Sequence, residues 1–261
     1  MPDGPAMSNK TVHLPMAAAT LRKDAWWVGP ALTVAVLSGF IVYATWRAFE
    51  GANYEWQAYL SPFYSPFFDV SWAKAWGFGF FTPAMLILPG PASFRFTCYY
   101  YRKAYYRAFA WDPPACAVAE RGSGHGYKGE TRLLLFQNLH RYAMYVAVVF
   151  LVILWKDAIV AVIGWPDGVH VGVGTLVMFA NVVLLTGYTF GCHSFRHLIG
   201  GGVNSYSKAA LGGMRHGLWK LVTVLNERHQ PFAWASLFSV ALTDLYIRAV
   251  ATGAITDVRL F

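Results

Sequence analysis

Six side chains in this sequence have the chemistry of soft and borderline metal ligands: Cys98, Cys116, Cys192, His140, His193 and His197. Three kinds of centre use thiolate and imidazole. A structural zinc accepts any mixture of the two. A b-type haem needs two histidines on facing helices, and His140 with His193 or His197 would serve, but the cysteines would then be idle. A Rieske-type 2Fe-2S cluster takes two cysteines on one iron and two histidines on the other. Charge favours this last choice near lipid. Two thiolates neutralise the two positive charges of the oxidised core, whereas four thiolates would bury a net negative charge in a low dielectric. The same ligand change raises the reduction potential well above that of an all-cysteine cluster. The soluble Rieske signature, C-x-H with C-x-x-H, does not occur in the chain.

Spacing ranks the candidates. Cys98 and Cys116 bracket a segment that Pro113 and Pro114 make rigid, which favours them as the thiolate pair, with Cys192 as the substitute for either. His193 and His197 are four apart, so one helical face presents both imidazoles, and His140 is the substitute. Cys192 points about 100° away from His193 on a regular helix and joins it only where the helix end is distorted.

The elements that must position these residues are membrane helices. Hydrophobic residues make up 56% of the 261 positions and charged ones 13%, leaving too little polar surface for a soluble domain. Five stretches approach the roughly 20 apolar residues that cross a bilayer: 26–49, 72–88, 139–163, 169–190 and 232–254, the second being short and carrying Lys74. The predicted fold is an all-α integral membrane protein. It consists of a cytoplasmic segment 1–25, a five-helix bundle over 26–254 with two basic cytoplasmic loops, and an external tail 255–261. Residues 1–25 lack the continuous apolar core of a cleavable signal.

Fifteen lysines and arginines fall on one side of this topology. They are Lys10, Arg22, Lys23, Arg95, Arg102, Lys103, Arg107, Arg121, Lys128, Arg132, Arg196, Lys208, Arg215, Lys220 and Arg228, with Arg259 alone on the other. The positive-inside rule makes the first side cytoplasmic and the C-terminus external. It also accounts for the formal charge of +8 without nucleic acid. Thiols on the cytoplasmic side stay reduced, so no disulfide framework is expected. Pro89, Gly90 and Pro91 are expected to break the second helix. The aromatic and basic run Phe94 to Phe109 reads as an interfacial helix, either an anchor or a docking surface for a soluble partner. Within the fifth span Asp244 and Arg248 are four apart and can neutralise each other, and a proton route is the functional alternative. Between Trp219 and Trp234 lies Asn226-Glu-Arg-His229, where Trp219, Arg228 and His229 form a candidate quinone site.

The strings Cys98 to Arg107, Asp112-Pro-Pro-Ala-Cys116, Asn138-Leu-His-Arg-Tyr142, Gly191-Cys-His-Ser-Phe-Arg-His197 and Leu242 to Arg248 resemble the membrane-anchor subunit of actinobacterial succinate dehydrogenase. The resemblance is to the class with a single large anchor and no haem, and it covers the chain from about residue 94 onward. It implies a complex II in the cell membrane, with a flavoprotein and an iron–sulfur protein docked on the cytoplasmic face and a possible higher oligomer of the whole. The anchor would contain a Rieske-type 2Fe-2S cluster and a site for menaquinone or ubiquinone. It would relay electrons to the quinone without itself oxidising succinate. The alternatives are a haem b anchor of the cytochrome b type and a membrane scaffold without redox work.

Overall fold

The computed structural model describes residues 22–118 and 132–260, so Lys10, Arg121, Lys128 and most of the N-terminal segment lie outside the described residues. In chain order the elements are α1 (Val28–Glu50), β1 (Glu55–Trp56), β2 (Tyr59–Leu60), α2 (Ser71–Ala75), α3 (Pro83–Ile87), α4 (Pro89–Thr97), α5 (Tyr99–Phe109), α6 (Leu133–Ile163), α7 (Val173–Phe190), α8 (His193–Gly200), α9 (Gly212–Glu227) and α10 (His229–Ala251). The chain divides into two compact units, Met1–Leu37 with Arg102–Thr131, and Ser38–Tyr101 with Arg132–Phe261. In the first, Trp26 meets Trp111 edge to face at 5.7 Å, and Arg22 pairs with Asp24.

Among the described residues four helices, α1, α6, α7 and α10, are long and apolar enough to cross a membrane. α6 is hydrophobic all round, and its exposed Val146, Val149, Val152 and Ile159 suit contact with lipid. It ends at Gly164, and a short turn closed by the Trp165–Gly168 bridge, with Gly168 at φ +103°, leads into α7.

The expected second span over 72–88 is not a single helix. Two five-residue helices flank a break at Gly77, whose φ of +86° ends α2. Composition in this stretch is apolar, but glycine at 77 and 79 and proline at 83 prevent one continuous helix. As expected, a helix ends just ahead of Pro89 and Pro91, α3 stopping at Ile87, but a new one begins at once. Leu88 is itself helical, with φ −58° and ψ −34°, and Pro89 occupies the first turn of α4, where its missing N–H has no intrahelical partner to lose.

α4 lies against α6. A methyl group at Gly90 would sit 2.7 Å from the Phe150 ring, so glycine is what allows this approach. The core of the second unit gathers Tyr59, Leu151, Ala158, Ala161, Met178, Val182 and Ile247.

Charges inside the bundle pair across helices rather than along one. Asp244 and Arg248 do not neutralise each other on α10 as expected. Asp244 accepts from Arg47 Nε on α1 at 2.7 Å, from Tyr43 at 2.5 Å and from Ser61. Arg248 bonds Glu50 at 3.1 Å, and Glu50 also pairs with Arg47. Two cations and two carboxylates thus balance, and they tie the C-terminal turns of α1 and α10 together.

Candidate metal centre

At the opposite end of the second unit the chain gathers two thiols and two imidazoles. Cys98 sits in extended conformation between α4 and α5, with φ −62° and ψ 125°. Cys192 holds the same kind of conformation between α7 and α8, with φ −65° and ψ 139°, and caps α8 by accepting from the Ser194 N–H at 3.3 Å. The break before Cys192 is fixed from α9: Asn226 donates to the Gly191 carbonyl at 2.7 Å, and a methyl group at Gly191 would lie 2.9 Å from the Leu225 carbonyl oxygen. His140 is on α6, two turns into the helix rather than at its start. His229 opens α10 immediately after Arg228, whose φ of −104° interrupts the helical path from α9.

The four side chains meet in pairs. His140 Nε2 lies 3.0 Å from Cys192 Sγ, and His229 Nε2 lies 3.6 Å from Cys98 Sγ. Cys98, Cys192 and His140 are buried. Neighbouring groups orient the rings. Phe94 stacks on His140 with centroids 4.8 Å apart, and Tyr188 stacks on His229 at 5.0 Å. Thr97 donates its hydroxyl to the Ser93 carbonyl at 2.7 Å, so towards His140 Nδ1, 3.0 Å away, it acts as acceptor. The proton of neutral His140 therefore belongs on Nδ1, and Nε2 presents its lone pair to Cys192. Second-sphere bonds of this kind orient metal-binding histidines.

Burial pushes the Cys98 thiol up, and burial together with the nearby Cys98 pushes Cys192 up to about 11. Both cysteines therefore hold their protons at neutral pH, and a metal bound here would displace them. His229 Nδ1 is buried with no hydrogen-bond partner among the described residues.

The set brought together differs from the one ranked first by spacing. Of that set only Cys98 is here. Cys116 belongs to the first unit, where it is exposed and its carbonyl accepts from Arg22 at 2.9 Å. His193 and His197 are both exposed on α8, and His197 Nδ1 faces Arg141 at 2.7 Å. The two substitutes, Cys192 and His140, are in the cluster. So is His229, which sequence reasoning assigned to quinone instead. Of its intended companions, Trp219 on α9 is covered by the Arg196 guanidinium at 4.5 Å, and Arg228 is exposed. The donor set of two thiols and two imidazoles fits a Rieske-type cluster, and it equally satisfies a tetrahedral zinc. As they stand, the side chains form no group of three or more metal-ligating residues among the described residues.

No curated protein matches the chain. A chain of the Mycobacterium smegmatis Sdh1 complex in the apo form is similar over 97% of this chain and 98% of that one, with 40% sequence identity and a TM-score of 0.82. The sequence profile of the actinobacterial succinate dehydrogenase subunit SdhC matches residues 28–253. The chain belongs to that family, the membrane subunit of actinobacterial succinate dehydrogenase.

Proposed function

We propose that this subunit passes electrons from the iron–sulfur subunit of succinate dehydrogenase to a membrane quinone through a Rieske-type 2Fe-2S cluster held by Cys98, Cys192, His140 and His229. The observation that carries the reading is the pairing of two buried thiols with two imidazoles, each imidazole held by a stacked ring. When bound, such a cluster supplies a one-electron carrier of raised potential.

The chain's own residues do the rest. Thr97 fixes the His140 tautomer. Phe94 and Tyr188 hold the ring planes and keep water out. Arg95 joins α4 to α10 by donating to the Ala233 carbonyl at 3.1 Å and to Ser236 at 3.0 Å, which keeps Cys98 opposite His229. Binding would expel the two thiol protons, and the two thiolates would then offset the positive charge of the cluster core.

Orientation follows from charge. Arg196, Lys208, Arg215, Lys220 and Arg228 all lie between Cys192 and α10, on the cluster side of the bundle. By the positive-inside rule that side is cytoplasmic, where the flavoprotein and iron–sulfur subunits would dock. A C-terminal alkaline phosphatase fusion should be active, and a fluorescent-protein fusion that folds only in the cytoplasm should be dark. The reverse result would invert the topology.

The ligand set is tested on the purified complex. His229→Ala should lose iron and acid-labile sulfide together, and the double variant His193→Ala/His197→Ala should keep both. The opposite pattern would return the imidazole role to α8, and zinc in place of iron would replace the redox reading by a structural one.

A further inference from the structure

The chain between α7 and α10 forms a helical hairpin, α8 and α9, on the side of the bundle that carries the thiol–imidazole group. Arg215 of α9 donates to the Ile199 and Gly201 carbonyls at 3.0 Å each, which ties the two helices together. The last turn of α9 is held against the end of α7 by the bond from Asn226 to Gly191, and only Arg228 separates α9 from α10. Both α7 and α10 are of membrane-spanning length and apolarity. The hairpin therefore leaves and rejoins the bundle at the boundary of the hydrocarbon layer.

α9 has three faces. At about 100° per residue, Gly212, Trp219, Val222 and Asn226 share one arc, and that arc packs on the protein. Gly212 and Val222 are buried, and Trp219 is covered by the Arg196 guanidinium. Lys220 and Glu227 share a second arc, which is charged and exposed. Met214, Leu218, Leu221 and Val224 share the third. Each of these four is between 43% and 61% exposed, and Leu211 at the N-terminal end is 70% exposed. An aliphatic face open along a whole helix is unfavourable in water. With 16 residues, α9 is about 24 Å long, short of the roughly 30 Å hydrocarbon layer. The stripe is thus covered along its length only by a surface that runs parallel to the helix.

The chemistry selects that surface. The stripe contains no aromatic ring, whereas protein interfaces draw their energy from tyrosine, tryptophan and arginine anchors. Acyl chains need only aliphatic contact. The surrounding charge is of one sign: Arg196, Lys208, Arg215, Lys220 and Arg228 stand against Glu227 as the only acidic residue between Cys192 and His229. Lys208, Lys220 and Arg228 are exposed, and their long stems let the charged ends reach headgroups while the helix lies lower. An aliphatic stripe with a cationic rim is the pattern of a helix lying in an anionic leaflet.

We propose that α9 lies in the plane of the membrane on anionic phospholipid. Met214, Leu218, Leu221 and Val224 enter the acyl layer, and Lys208, Lys220 and Arg228 hold the headgroups. The orientation proposed above makes this leaflet the cytoplasmic one, and the terminal fusions test that orientation separately.

The test uses the complete complex with the photocrosslinker p-benzoylphenylalanine placed singly at Leu218, Leu221 or Lys220. The complex is reconstituted in vesicles of equal phosphatidylglycerol and phosphatidylethanolamine, irradiated, and its adducts are weighed by mass spectrometry. The positions of Leu218 and Leu221 should give phospholipid adducts, and the position of Lys220 should give severalfold fewer. Phosphatidylglycerol should predominate among them. With the crosslinker at Leu218, Lys208→Gln/Lys220→Gln/Arg228→Gln should lower that preference by about fivefold or more, the effect of removing at least one cation near a charged surface. These side chains are exposed, so their replacement leaves the packed face of α9 intact. Adducts of Leu218 and Leu221 positions with the iron–sulfur subunit would show a protein on the stripe, and no adduct at either would show water there. Each of those results would overturn the proposal. Lipid adducts in the bulk ratio of the two phospholipids would overturn the anionic selection.

Discussion

Removing the Asp244 carboxylate should damage the subunit more than removing Asp244 and Arg47 together. Both side chains are fully buried, and Asp244 takes two bonds from Arg47, at 2.7 and 3.2 Å, besides those from Tyr43 and Ser61. Asp244→Ala leaves the Arg47 guanidinium inside the bundle with only Glu50 to balance it, while Glu50 is shared with Arg248. Breaking a buried ion pair by deleting one partner costs about 3–5 kcal/mol, whereas replacing the pair with apolar groups is often neutral. At about 1.4 kcal/mol per factor of ten, the single change should lower the folded-to-unfolded ratio by roughly a hundredfold to several thousandfold. Asp244→Ala/Arg47→Met should recover most of that loss, a coupling well above the few tenths expected of independent sites. The assay is titration of the purified complex with sodium dodecyl sulfate in mixed micelles, followed by tryptophan fluorescence. A single-variant loss under about 1 kcal/mol, or a double variant as weak as the sum of its parts, would show that the network does not clamp α1 to α10.

Three further outcomes are expected. Cys98→Ala and Cys192→Ala should each reduce bound iron in the purified complex to a small fraction of wild type, with Cys116→Ala unchanged, as read by elemental analysis. Gly90→Ala drives a methyl group against Phe150 and Val146, at 2.7 and 3.3 Å, and should destabilise the α4–α6 contact by about 1–3 kcal/mol in the same detergent titration. Burial alone would raise Asp257, but bonds from Tyr246 at 2.6 Å, the Gly174 N–H at 2.9 Å and Tyr59 at 2.8 Å hold it below the usual 3.8. A depressed carboxylate stabilises the fold above its unfolded pKa and loses that contribution as pH falls through the folded value. Hydrogen exchange of residues 255–260 should therefore accelerate below about pH 4 beyond the intrinsic rate, and Asp257→Asn should show the faster exchange already at neutral pH.

How far the sequence could be read depended on where its helices stop. Long apolar runs were legible: α1, α6, α7 and α10 lie within a few residues of four of the expected spans. The stretch 72–88, short and carrying Lys74, was apolar enough to be read as a span, yet Gly77 and Gly79 outweigh hydropathy there because a spanning helix needs unbroken backbone hydrogen bonds. At the thiol–imidazole group the difference from the ranking by spacing has the same origin. A helical wheel carried through Gly191 turns Cys192 away from any partner, whereas the chain leaves α7 at that glycine and Cys192 enters the cluster from an extended segment. His229 was read as a candidate quinone contact and not as a neighbour of Cys98. Its place follows from the interruption at Arg228, between α9, which read as part of a loop, and α10, which begins three residues ahead of the expected fifth span and sets His229 beside Cys98. The charge pairs failed for a simpler reason: an i, i+4 spacing permits Asp244 and Arg248 to meet, but the nearer partners are on α1, which no local pattern reveals.

The central claim is that two histidines on separate helices, His140 and His229, ligate one iron of a cluster in this subunit. Electron–nuclear double resonance on the dithionite-reduced complex reports it directly. The account predicts two distinct nitrogen couplings on the Rieske-type signal, both lost with the signal itself in His140→Ala and in His229→Ala and both retained in His193→Ala/His197→Ala. A reduced signal without nitrogen coupling, or couplings that vanish only when His193 and His197 are replaced, would contradict it.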